Sequence, residues 1–163
     1  MAKPRIAIIL GSDSDLPTME ECFKVFRDFA VPFELKVLSA HRSPALVHSF
    51  AKSAAKRGIK AIIAGAGGAA HLAGVIASLT RLPVIGVPME TKSLKGIDSL
   101  LSTVQMPSGV PVATMAIGKA GARNAAIFTL QILSLTESKT AKKLEAFKKR
   151  LAAEVAAKNK KFK

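Results

Sequence analysis

The chain has 163 residues, is 49% hydrophobic and carries a formal charge of +14, enough length for one compact domain with a sizeable core and too little for two comfortable ones. Its apolar stretches, such as 31–33 and the longer 61–70, fall far short of the roughly 20 residues that a bilayer crossing needs, and no charged-then-apolar leader opens it, so the expectation is a cytoplasmic protein with no membrane partner. The charge does not by itself argue for nucleic acid: +7 of it comes from ten Lys or Arg against three Glu between Glu137 and Lys163, and with no Trp or Tyr any base stacking would fall to eight Phe in mostly apolar surroundings.

In chain order, Arg5 to Leu10 is a continuous apolar run of the kind that a parallel strand buried on both faces requires. Gly11 ends it, and a helix follows near Asp15, with Asp15 the expected N-cap, Pro17 in its first turn, and Met19, Phe23 and Phe26 on one face. The lone Cys22 sits among those apolar residues and reads as a reduced core thiol. Strands are then expected at 31–38, 61–65, 83–87 and 111–116, and helices at 44–57, 70–80, 120–133 and from Glu137 to about Ala157. Such alternation predicts an α/β fold: a three-layer α/β/α, flavodoxin-like, doubly wound parallel sheet. The whole of 1–163 is expected to be a single catalytic domain, with 137–163 an extra basic C-terminal helix and tail. Leu144, Phe147, Leu151 and Val155 make a narrow apolar stripe on that helix, to be covered by its own domain or by a neighbouring subunit.

Open parallel sheets bind ligands outside the carboxyl ends of their strands, so the loops after the strands are where chemistry is expected. Gly11-Ser12-Asp13-Ser14-Asp15 offers hydroxyls suited to phosphate and carboxylates suited to sugar hydroxyls at a helix start, or else Ser14 and Asp15 merely cap the helix. Ser39-Ala40-His41-Arg42-Ser43-Pro44 sets a guanidinium that can grip phosphate beside an imidazole, a group that ordinarily exchanges protons near neutral pH. His48, without polar neighbours, reads as structural. In Gly65-Ala66-Gly67-Gly68-Ala69-Ala70-His71 small residues let the backbone approach a ligand, or serve tight packing. The glycines are not in dinucleotide-binding order, and no group of residues has metal-ligand spacing.

Together with Asp98-Ser-Leu-Leu-Ser102, Gln105 to Pro111 and Ala116 to Gly121, these loops resemble the N5-carboxyaminoimidazole ribonucleotide mutase family of de novo purine biosynthesis, over roughly Arg5 to Leu133. The resemblance implies an isomerase that moves a carboxylate from an exocyclic nitrogen to a ring carbon of an aminoimidazole ribonucleotide without metal or cofactor. It implies His41 as the proton-transfer residue; Ser12, Asp15 and Arg42 as ribonucleotide ligands; Ser14 and Ser39 as pocket neighbours; and Ala66, Gly67, Gly68 and His71 beside the migrating carbon dioxide. It further implies a homo-octamer. The chain departs from the family at Ala73, where Pro is usual, and matches it less from Met89 to Lys95. Two alternatives stand beside this reading: an aminoimidazole ribonucleotide carboxylase using free carbon dioxide, and a non-catalytic module binding a phosphate ligand.

Overall fold

The computed structural model describes residues 3–162. The chain divides into two compact units, one reaching to Ile127 and the other beginning at Phe128.

The first unit is a three-layer α/β/α fold around a five-stranded parallel sheet. Its strands are β1 (Ile6–Leu10), β2 (Phe33–Val37), β3 (Ala61–Ala66), β4 (Val84–Pro88) and β5 (Ala113–Thr114), in the order β2-β1-β3-β4-β5. Every residue of β1 is buried, which is why its sequence is apolar without alternation. Alternate residues still serve opposite layers. Ala7 and Ile9 of β1, with Ile62 and Ala64 of β3, join a core cluster with Val47 and Ala51 of α2 (Pro44–Ala54) and Leu72 and Ile76 of α3 (Leu72–Leu79). Gly65 faces the other way, toward Leu10 and Met19 of α1 (Leu16–Phe29). A helix absent from the sequence-based expectation, α4 (Ile97–Val104), follows β4 and packs against β4 and β5.

Several boundaries differ from expectation for local reasons. β2 starts only after Pro32 and β5 only after Pro111, as residues that cannot donate to a ladder favour, and β5 is cut to Ala113–Thr114. Asp15 does not cap α1 with its side chain. Ser12, in extended conformation, instead caps a 3-10 turn at Asp13–Asp15 by accepting a hydrogen bond from the Ser14 N–H, which leaves the Asp15 carboxyl uncommitted to the helix. Cys22 is buried, and desolvation pushes its thiol pKa well up, as an inert core thiol requires. His48 is exposed on α2.

α5 (Gly118–Ser134) runs across the boundary between the units, and the second unit continues with α6 (Ser138–Asn159) and a short 3-10 turn. Along the α6 stripe Leu144 and Phe147 are buried, whereas Leu151 and Val155 are exposed. No described helix is long and apolar enough to cross a membrane.

Candidate active site

Because β2 and β3 flank β1 on opposite sides, the chain leaves the ends of these strands in different directions and opens a crevice there. Loops after β1, β2, β3 and β4 meet around a cleft of about 450 Å³. Ser12, Ser14 and Asp15 line it from the first loop and Ser39, His41 and Arg42 from the second. Ala66 and Gly67 border it from the third. Gly68 and His71 do not line the cleft, although His71 touches a residue that does.

The first loop is held to the sheet by the Gly11 N–H, which donates to the Gly65 carbonyl at 2.9 Å. Within it the Ser14 hydroxyl donates to Ser12 Oγ at 2.9 Å, so the two serines form one polar pair at the rim. Partial burial pushes the Asp15 carboxyl above its ordinary range; a hydrogen bond from the Ser12 backbone opposes the rise and the nearby Asp13 charge adds to it. The second loop is closed by Ser43, which accepts from the Ser39 N–H and donates back to the Ser39 carbonyl, at 3.0 and 3.1 Å. Ser39 Oγ in turn accepts from the Arg42 N–H at 3.1 Å. The Arg42 guanidinium donates to the Gly11 carbonyl at 2.9 Å, tying the second loop to the first and keeping its other N–H groups beside the cleft.

The two histidines meet. Nε2 of His41 lies 3.0 Å from Nδ1 of His71, with the rings edge to face. One of the facing nitrogens must carry a hydrogen for the other to accept, so the rings can hold and pass a single proton between loops that are 30 residues apart.

Sequence reasoning left out two residues of the β4 end, Met89 and Glu90. Met89 is buried at the cleft floor, where its methyl end would collide with any side chain at Gly65, and Glu90 brings a carboxylate. Their only local signal was a position directly after an apolar strand. A further group lies beside the glycine loop: Ser99 and Ser102 of α4 bond to Gly68, and Asp98 accepts from the Thr91 hydroxyl.

With this geometry in hand, comparisons with known proteins converge. Residues 5–154 match the AIR carboxylase family. The chain is 57% identical over 145 residues to the N5-carboxyaminoimidazole ribonucleotide mutase of Pyrococcus abyssi, covering 89% of this chain and 82% of that protein. It is 55% identical over 143 residues to the protein of the same name from Bacillus subtilis, covering 88% of each. The crystal structure of Treponema denticola PurE superposes with a TM-score of 0.88 at 26% identity, covering 98% of this chain and 99% of that one.

Proposed function

This chain belongs to the AIR carboxylase family, and from that membership we propose that it isomerises N5-carboxyaminoimidazole ribonucleotide to 4-carboxyaminoimidazole ribonucleotide in de novo purine biosynthesis. Its identity to the Pyrococcus abyssi and Bacillus subtilis mutases carries the reading, and the cleft offers chemistry that suits it. Ser12, Asp15 and Arg42 bind the ribonucleotide, with Ser14 and Ser39 beside them, while Ala66 and Gly67 border the migrating carbon dioxide and Gly68 supports that loop from outside the cleft. His41 moves the proton.

The proton balance can be met by one imidazole. As the carbamate C–N bond breaks, the exocyclic nitrogen takes up a proton and carbon dioxide is set free in the cleft. The ring carbon attacks it and then surrenders its own proton. One proton enters and one leaves, so a single imidazole that ends as it began is enough, and His71 at 3.0 Å gives His41 a neighbour to share that proton in the interval.

A turnover assay supplies the carbamate nucleotide in one arm and aminoimidazole ribonucleotide with dilute bicarbonate in the other. The mutase reading expects fast conversion in the first arm only. Conversion confined to the second arm would make the protein a carboxylase, and none in either a binding module.

We further propose that the protein works in the cytoplasm, where a lone thiol stays reduced, and that it assembles as a homo-octamer. Ile97, Leu101 and Val104 form an exposed apolar stripe on α4, with Leu94 just before it, and apolar surface of this kind favours a partner.

A further inference from the structure

We propose that Ser99 is a positioning residue for this reaction: by holding the Gly68 N–H it keeps the glycine loop closed over the carbon dioxide between its release and its recapture. The proposal rests on the mutase reading.

Ser99 is 0% exposed, and its Oγ accepts a hydrogen bond from the Gly68 N–H at 2.9 Å. A buried hydroxyl is costly unless it is bonded, and alanine would fill a helix at least as well. The hydroxyl therefore has its use in the loop rather than in α4. Gly68 itself has a φ of 68°, a left-handed conformation that ties the direction of the loop to this one residue. Next to it, Gly67 lines the cleft, and an added Cβ there would lie 3.3 Å from Met89 Cβ, a tight approach, and 3.8 Å from Ser99 Oγ, an ordinary contact.

Ser99 is itself fixed. Asp98 Oδ1 accepts from both the Ser99 N–H and the Thr91 hydroxyl at 2.9 Å, and Thr91 Oγ1 accepts from the Gly96 N–H, so the start of α4 is bound to the segment after β4. Ser102 adds a weaker hold. Its hydroxyl lies 2.7 Å from the Asp98 carbonyl and 3.2 Å from the Gly68 carbonyl, so its single hydrogen serves mainly the helix. The Gly68 N–H thus faces α4, while its carbonyl accepts chiefly from the Ala70 N–H within the loop, at 2.8 Å; the ribonucleotide ligands proposed above belong to the loops after β1 and β2.

That separation predicts how a variant should fail. Once the carbamate has broken, free carbon dioxide is retained by the cleft walls alone. If they loosen, it escapes and aminoimidazole ribonucleotide accumulates instead of product. Ser99→Ala should leave KM for the carbamate nucleotide nearly unchanged and lower product-forming kcat by about 10- to 100-fold, the scale of a misplacement near 1 Å. The ratio of decarboxylated nucleotide to carboxylated product should rise with it. A merely structural loss would reduce the amount of active enzyme and leave that ratio alone. Ser102→Ala should raise the ratio less, and it stands in if Ser99→Ala does not fold.

The test measures the product ratio in full-length wild type and both variants, together with hydrogen–deuterium exchange of the peptide spanning 66–71. Faster exchange with a higher ratio supports the proposal. Unchanged exchange means that Ser99 does not hold Gly68 and overturns it whatever the substrate. Faster exchange with an unchanged ratio means that the loop does not retain carbon dioxide and also overturns it. A wild type inert on the carbamate nucleotide, with exchange responding as expected, identifies the mutase reading as the part that failed.

Discussion

At the residue scale, the contact between His41 and His71 changes what each substitution should do. His41→Asn keeps the size of the ring without its proton exchange and should lower kcat by about 10²- to 10⁴-fold. With Nδ1 of His71 only 3.0 Å away, His71→Asn should also slow turnover, because His41 loses the ring that orients it. Should His41→Asn keep more than about a tenth of wild-type kcat, far above the loss that proton transfer implies, the proton-transfer role passes to His71. Asp15 gives a prediction in stability. Because burial raises its carboxyl pKa, the folded chain holds that proton more tightly than the unfolded one. Its contribution to stability is present at low pH and is lost as pH rises through the raised value. Asp15→Asn should therefore melt no lower than wild type near neutral pH, with the difference closing in acid, yet raise KM about 10-fold or more as a charged hydrogen bond to substrate is lost. A lower Tm at neutral pH would contradict this.

At the element scale, close approaches of backbone fix where the loops lie. A Cβ on Gly121 would collide with the Ala116 carbonyl oxygen. That atom belongs to the backbone between β5 and α5, so no rotamer change can relieve the clash. Gly121→Ala should cost about 3 kcal/mol or more, at the upper end of overpacking effects, whereas Gly65→Ala meets the flexible end of Met89 and should cost less. Thermal unfolding of the two variants checks the order. Helix α4 shows why an element can be missed. Ser99 and Thr103 are its buried residues while Ile97, Leu101 and Val104 are exposed, so its polarity runs opposite to that of an ordinary surface helix.

At the scale of the whole molecule, that inverted helix and the uneven stripe of α6 bear on assembly. Leu101 is 51% exposed and Val155 60%, whereas Leu144 and Phe147 are already buried. Removing the chain after Leu135 would take away covered and uncovered residues together. A cleaner variant is Ile97→Glu with Leu101→Glu, which charges only exposed positions. Light scattering should show a smaller species than wild type, since burying two unpaired carboxylates in an interface is strongly unfavourable. An unchanged assembly would mean that the α4 face is not part of it.

The alternation of strands and helices was legible in the sequence because it is local: apolar runs such as Ile6–Leu10 need cover on both faces, and a glycine or proline lies at the end of β1, β3 and β4. So were the loops after β1, β2 and β3, since their polar or glycine-rich residues follow directly on those runs. Tertiary structure alone decided that His41 meets His71, that Ser99 reaches Gly68 across 31 residues, and that Met89 and Glu90 complete the cleft. The physical reason is the strand order. Periodicity tells a strand which way its side chains face, but the order β2-β1-β3-β4-β5 sets which strand ends become neighbours, and hydrogen bonds of 3 Å form only between neighbours.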